Sequence, residues 1–150
     1  YSQDEMRKEI EMSRKIGSFG VRVPETLSEV FELKVDGTKT FGFLVERVFT
    51  SMSEPYKPQA HKSTWQGMGA CLRNLNREQQ NRALRSLNVI SVFNKFNHYL
   101  HDMQLLVQNQ SQDESRNGIV YLIDPGALAP KKRVNQVFRV TRFLKKQLAM

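Results

Sequence analysis

The sequence predicts an α+β protein, in which a small antiparallel hairpin layer is followed by a helical lobe. Residues 76–100 place apolar side chains on one face of a long helix, as expected of a main core element. Residues 27–49 and residues 105–123 each contain two short apolar runs joined by turn-forming residues, which is the pattern of a β-hairpin. A chain of 150 residues is long enough to bury these elements in one core.

The first predicted element is a helix over residues 2–16. Ser2 and Glu5 have the spacing of a capping box, in which both side chains satisfy backbone groups at a helix start. Met6 and Ile10 then begin an apolar stripe at helical spacing.

The first hairpin and a loop are predicted next. Residues 27–35 and 40–49 are the predicted strands, and Asp36-Gly37 between them is a hairpin turn signal. Residues 50–69 contain prolines and serines without a hydrophobic period, so they are predicted to form a loop or linker. Trp65, within this stretch, is expected to pack on the core.

The helical part is predicted to begin at Asn76, which can cap the long helix. The apolar face of that helix consists of Ala83, Leu84, Leu87, Ile90, Phe93, Phe96 and Leu100. A terminal helix is predicted over residues 134–148. The expected organisation is one compact domain with a helix-and-hairpin part (residues 1–49), a linker or hinge (50–75) and a helical part (76–150).

The net charge of +8 is concentrated at the C-terminal end. All 15 acidic residues lie at or before Asp124, whereas the stretch Lys131–Lys146 is basic and contains no acid. Three interpretations are open, in decreasing order of expectation: the solvated face of a packed helix, a surface for an acidic partner or nucleic acid, and a membrane-surface helix. Nucleic acid is disfavoured because the chain has no aromatic RNA-binding motif, zinc finger or helix-turn-helix signature.

Several classes of protein are excluded by composition. No apolar run approaches the length of a membrane span, and no signal-peptide pattern is present. Cys71 is the single cysteine, so neither an internal disulfide nor a cysteine metal site is expected. The chain begins with Tyr1, which suggests a piece of a longer protein.

Two aspartates stand at the ends of the second predicted hairpin. Asp102 precedes the first strand and Asp124 follows the second. Antiparallel pairing of the strands would bring both carboxylates to the same end of the hairpin. Two carboxylates held close together can bind Mg²⁺ and orient a nucleophilic hydroxyl.

The residues around these aspartates, His101-Asp102 and Asp124-Pro125-Gly126, resemble the catalytic core of the protein-kinase-like fold. In that fold a long helix leads into a loop with a catalytic aspartate, a hairpin follows, and an Asp-x-Gly motif comes after it. The order of predicted elements is similar to that of a kinase from helix C onward. The nearest resemblance is to the reduced kinase-like domains of some bacterial effectors and toxins.

The resemblance implies roles at the metal and at the reacting hydroxyl. Asp102 would accept the proton of the substrate hydroxyl, His101 would brace its loop, and Asp124 would hold Mg²⁺ against the phosphates of ATP. The family has a metal-binding asparagine five residues after the catalytic aspartate, and this chain has Val107 at that position. Gln104 is the nearest amide side chain and would take the place of that asparagine.

The resemblance also implies a nucleotide site. Glu9 or Glu5 would be the acid that pairs with the phosphate-binding lysine. Residues 46–49, including Glu46 and Val48, would form the hinge whose backbone meets the adenine. The glycine-rich phosphate loop and the strand with the lysine are absent from this chain, and Pro125 replaces the usual phenylalanine. Little phosphotransfer is therefore expected of the chain alone.

The expected function is an ATP- and Mg²⁺-dependent phosphotransferase domain that acts on a protein substrate, incomplete in this chain and belonging to a bacterial virulence effector or toxin. The resemblance implies a soluble protein that is cytosolic or is secreted into a host cell cytosol. Two alternatives remain open: an inactive kinase-like module that binds a host protein, and a basic domain that binds an acidic partner or nucleic acid. Simpler interpretations are also open for the single residues. Asp124 would be a turn residue and Asp102 would follow a helix end. For Glu9, a position on a solvated helix face is the favoured interpretation.

Overall fold

The computed structural model describes residues 2–57, 62–96, 99–100, 104–123, 128–129, 142 and 145–146. Within them the chain is a mixture of helices and small antiparallel sheets, so the α+β prediction is confirmed. None of the helices in this part of the chain is long and apolar enough to cross a membrane.

Helix α1 (Gln3–Ser18) begins as the sequence predicts and ends two residues later. The hydroxyl of Ser2 accepts a hydrogen bond of 3.1 Å from the backbone N–H of Glu5, which satisfies one of the free donors at the helix start. Ile10 and Ile16 on the predicted stripe are buried.

Strands β1 (Phe31–Val35) and β2 (Thr38–Gly42) form the first hairpin, with Phe31 opposite Gly42 and Val35 opposite Thr38. Asp36 and Gly37 between them have φ angles of 51° and 79°, as a tight hairpin turn requires. The predicted strands are wrong at their outer ends, since the regular ladder stops at Phe31 and Gly42 and an isolated bridge, between Thr26 and Val45, follows. Beyond this point the hydroxyl of Ser28 accepts a hydrogen bond from the N–H of Leu44 in place of a regular ladder.

Helix α2 (Lys62–Asn74) contradicts the loop predicted up to residue 69. Its buried residues Met68, Cys71 and Leu72, with Leu75 just beyond its end, lie on one face of the helix. Burial of this apolar face outweighs the low helix propensity of Gly67 and Gly69. The side chain of Trp65 lies outside the described part.

Helix α3 (Arg77–Phe96) is the long helix predicted from Asn76. Asn76 and Gln79 form a reciprocal cap, in which each side-chain oxygen accepts a hydrogen bond from the other residue's backbone N–H. Ala83, Leu87, Ile90 and Phe93 are buried. The predicted helical end at Leu100 is wrong, because strand β3 (Tyr99–Leu100) pairs there with strand β6 (Leu128–Ala129).

Strands β4 (Gln104–Val107) and β5 (Val120–Ile123) form the second predicted hairpin. They are antiparallel, with Gln104 opposite Ile123 and Val107 opposite Val120. A short 3-10 helix, Glu114–Arg116, lies in the connecting loop.

The core lies between α2, α3 and the second hairpin, and includes Ile16 and Val21 from the N-terminal part. Tyr56 joins it through two backbone hydrogen bonds to Leu105. The first hairpin contributes no buried residue to this core. Of the predicted terminal helix, Arg142, Lys145 and Lys146 are described, and all three are helical and exposed, while the remainder lies outside the described residues.

Candidate functional site

A cavity of about 400 Å³ lies between α1, the segment after β2 and the second hairpin. Glu9, Glu46 and Val48, all predicted from the sequence as nucleotide-site residues, line this cavity. Glu5, the alternative to Glu9, is exposed near the start of α1 and is not among the lining residues. The folded chain therefore brings together predicted site residues that are separated by up to 39 positions in sequence.

The walls of this cavity are largely apolar. They are formed by Phe43, Val45 and Val48 from the segment after β2 and by Leu106, Leu122 and Ile123 from the second hairpin. Such walls with a few polar groups are typical of sites for flat organic ligands.

Glu46 is held at the cavity by both its backbone and its side chain. Its backbone N–H donates to the carbonyl of Glu25 at 2.8 Å, and its Oε1 accepts from the backbone N–H of Glu25 at 3.0 Å. Its Oε2 lies 3.2 Å from a guanidinium nitrogen of Arg116. The negative charge of Glu46 is therefore balanced within the protein.

The other end of this segment is fixed to the loop of the second hairpin. The N–H of Phe49 donates to Oε1 of buried Gln108 at 3.3 Å, and the carbonyl of Phe49 accepts from the backbone N–H groups of Asn109 and Gln110. Between these fixed ends, the backbone groups of Arg47 and Val48 form no hydrogen bond with the part of the chain that the structure describes.

Arg116 joins the cavity wall to the second hairpin. Besides Glu46, its guanidinium donates to the hydroxyl of Tyr121 at 3.2 Å. The hydrogen bond with Tyr121, together with the charge of Glu46, raises the pKa of Arg116 above its ordinary value. Arg116 is thus a permanent cation at this position.

Gln104 is half-buried at the start of β4, opposite Ile123. Ile123 lines the cavity, and so does Leu106, which lies on the same face of β4 as Gln104 because side chains alternate along a strand. The N-terminal end of β4 and the C-terminal end of β5 therefore meet beside the cavity.

The other predicted catalytic and metal residues, His101, Asp102 and Asp124, lie outside the described residues. Among the described ones, no three His, Cys, Asp or Glu side chains are grouped as a metal site would require.

Sequence reasoning did not identify Arg116 or Gln108 as site residues. Both lie in the polar loop of the second hairpin, where the sequence offers no spacing that relates them to Glu46 or Phe49, more than 50 positions earlier. The polar composition of that loop was the available signal, but polar loop residues are ordinarily solvated.

No protein-family model, curated protein or solved structure matches the chain. What the fold and the site define is a small α+β domain with a mainly apolar cavity, bordered by two glutamates and by one end of a buried hairpin.

Proposed function

We propose that the chain is the nucleotide-binding part of a kinase-like phosphotransferase, which binds ATP with Mg²⁺ in the cavity beside Glu9, Glu46 and Val48. The observation that carries this proposal is the convergence of α1, the segment 46–49 and the end of β5 on one cavity. In the kinase-like fold, those three positions correspond to the helix C acid, the hinge and the strand before the metal-binding aspartate.

The adenine would occupy the apolar part of the cavity. The volume of this cavity, about 400 Å³, falls within the range of small-molecule sites. Because the N–H of Glu46 is already bonded to Glu25, the backbone groups left to meet a purine edge are the carbonyl of Glu46 and the groups of Arg47 and Val48. Val48 lines the cavity, so its backbone is the expected partner of the base.

The phosphates and the metal would lie toward the end of β5. Asp124 directly follows Ile123, and the family resemblance assigns Mg²⁺ binding to this aspartate. Gln104, opposite Ile123, would supply an amide oxygen as a further ligand. Asp102 would orient the hydroxyl of a protein substrate and accept its proton as the γ-phosphoryl group is transferred.

A bulky substitution in the cavity tests the nucleotide site. We expect Val48→Trp to abolish binding of ATP, measured by titration calorimetry with Mg²⁺ present, because the indole occupies the space of the base. Val35→Trp is the matched control, since Val35 is a valine that is 52% exposed on β1 and does not line the cavity. It is expected to leave binding unchanged.

The role of the metal is tested separately with Asp124→Asn. This substitution is expected to remove the Mg²⁺-dependent part of ATP affinity while adenosine binding is retained. Absence of any ATP or adenosine binding by the unsubstituted protein, with or without Mg²⁺, would overturn the proposal and favour an inactive kinase-like module. Binding that Val48→Trp leaves intact would place the nucleotide elsewhere.

A further inference from the structure

A second cavity, of about 360 Å³, lies between the segment after α1, helix α3 and the 3-10 helix. Four arginines line it: Arg22, Arg82, Arg85 and Arg116. No lysine and no carboxylate is among its lining residues in the described part of the chain. We refer to this cavity as the arginine pocket.

Two of these arginines are fixed by contacts inside the protein. Arg82 is largely buried, donates to the backbone carbonyl of Asn117, and lies 3.5 Å from the carboxylate of Glu78. Arg116 is held by Tyr121 and Glu46, as described above. The pocket therefore has preorganised guanidinium donors on one side, and this lowers the entropy cost of binding an anion, although each of the two charges is shared with a glutamate.

The side chains of the other two arginines have no polar partner among the described residues. Arg22 and Arg85 are exposed, and neither has an ion pair or a side-chain hydrogen bond among the described residues. Their backbones are nevertheless held in position, because Arg85 lies within α3 and the carbonyl of Arg22 accepts a hydrogen bond from the backbone N–H of Leu122. Two uncommitted guanidinium groups thus face a pocket whose other two guanidinium groups are fixed in place and each paired with one glutamate.

The interior of the pocket is partly apolar. Val89, one helical turn after Arg85, and buried Ile119 contribute aliphatic surface. Gly20 lies close to Val89. A ligand that fits this pocket combines a strongly anionic group with a short uncharged stem.

All charged residues that line the pocket are arginines, and this favours phosphate over other anions. Guanidinium groups present paired N–H donors that match phosphate oxygens, and a phosphate monoester has nearly two negative charges to share among several arginines. Arginine clusters are the usual means by which proteins recognise phosphorylated residues.

The surroundings of the arginine pocket disfavour an extended polyanion. Glu78, Asp113 and Glu114 are exposed near its edges, on the same elements as the pocket arginines. Nucleic acid or an anionic membrane would extend over these carboxylates and be repelled by them, whereas a single phosphorylated side chain would not.

We propose that the arginine pocket binds a phosphorylated side chain of a partner protein. This site shares no lining residue with the nucleotide cavity, and its test does not depend on phosphotransfer.

The probes are fluorescent degenerate peptides with a central phosphoserine or phosphotyrosine, and the same peptides without phosphate. Binding is measured by fluorescence anisotropy. We expect only the phosphorylated peptides to bind, and we expect Arg22→Ala and Arg85→Ala each to weaken binding by about 10- to 100-fold, the effect of losing charge-assisted hydrogen bonds. The two phosphorylated series identify which kind of side chain is preferred.

Two further variants separate recognition from net charge. Arg77→Ala removes the same charge from an exposed position on α3 outside the pocket, and is expected to leave affinity within about twofold because distant surface charges are screened. Arg22→Lys keeps the charge but loses the paired donors, and is expected to be intermediate. Circular dichroism checks that all variants are folded.

Three results would overturn the proposal. The first is equal binding of phosphorylated and unphosphorylated peptides. The second is an equal loss in Arg77→Ala and Arg22→Ala. The third is tighter binding of a single-stranded oligonucleotide or of phosphatidylserine vesicles that requires Arg22 and Arg85, which would assign the pocket to a polyanion.

Discussion

Glu46 illustrates how one side chain positions a whole segment. Its two carboxylate oxygens have different partners, the N–H of Glu25 and the guanidinium of Arg116. The first contact fixes Glu46 to the chain after α1, and the second fixes it to the loop of the second hairpin. The sequence predicted Glu46 as a site residue through its backbone, whereas in the fold its backbone N–H bonds to Glu25 and its side chain forms two further contacts.

Tyr56 provides a pH-dependent test of the core. Burial raises the pKa of Tyr56 to about 12, from an ordinary value of 10.0. Between these values the native protein retains a proton that the unfolded chain has lost, so stability is fully present below pH 10.0 and falls as the pH rises toward 12. The loss over this window amounts to at most about 2–3 kcal/mol.

Tyr56→Phe removes the ionisable hydroxyl and keeps the two backbone hydrogen bonds between Tyr56 and Leu105. We expect urea denaturation of the variant to show a smaller decline in unfolding free energy over the alkaline range than the unsubstituted protein shows. Identical declines in the two proteins would mean that Tyr56 ionises in the native state as it does in the unfolded chain.

At the level of elements, Gly118 determines how closely the second hairpin approaches α3. Its φ angle is +98°, and a Cβ atom at this position would overlap the backbone carbonyl of Gln79 in the first turn of α3. Backbone atoms of a capped helix cannot easily move aside. The sequence predicted turn-forming residues between the two strands of this hairpin, but nothing in it indicated this contact with a helix.

We expect Gly118→Ala to destabilise the protein by about 3–5 kcal/mol, because steric overlap adds to the unfavourable φ angle. Gly37→Ala is the matched control, with a φ of +79° and open space around the added methyl group. It is expected to cost only about 1 kcal/mol. Chemical denaturation measures both, and equal losses would show that the approach to Gln79 is unimportant.

The elements that the sequence predicted well are those with local signals. The caps at Ser2 and Asn76 and the Asp36-Gly37 turn depend on residues a few positions apart, and all are present. The start of α2 was not predicted, because residues 50–69 contain Pro55, Pro58 and Gly67 and show no hydrophobic period. Burial against the rest of the fold determines the helical conformation there.

For the molecule as a whole, the core and the first hairpin differ in environment. The buried cluster draws on α2, α3 and the second hairpin, whereas Phe31 and Val35 of the first hairpin are 41% and 52% exposed. A two-stranded hairpin without a buried face is marginally stable. Its opening therefore need not disturb the core.

Hydrogen exchange monitored by mass spectrometry tests this difference. We expect amides of residues 31–42 to exchange at least about tenfold faster than those of α3 and β5, because local opening of the hairpin exposes little apolar surface. The strand pairing of β4 with β5 provides the internal reference. Equal protection of both hairpins would show that the first one opens only with global unfolding.

The grouping of three candidate residues was anticipated through the order of elements in the sequence. Glu9, Glu46 and Val48 line one cavity, while their role at a nucleotide stays a prediction. The arginine pocket could not be predicted, because Arg22, Arg82 and Arg116 come together only when three separate elements pack.

The ion pair between Glu46 and Arg116 has a consequence for communication across the domain. Glu46 borders the proposed nucleotide cavity and Arg116 borders the arginine pocket, yet their charged groups are 3.2 Å apart. An anion that drew Arg116 toward itself would leave Glu46 less neutralised and thereby alter the electrostatic potential felt by a nucleotide. Thermodynamic reciprocity requires that the nucleotide would then change the affinity for that anion by the same factor.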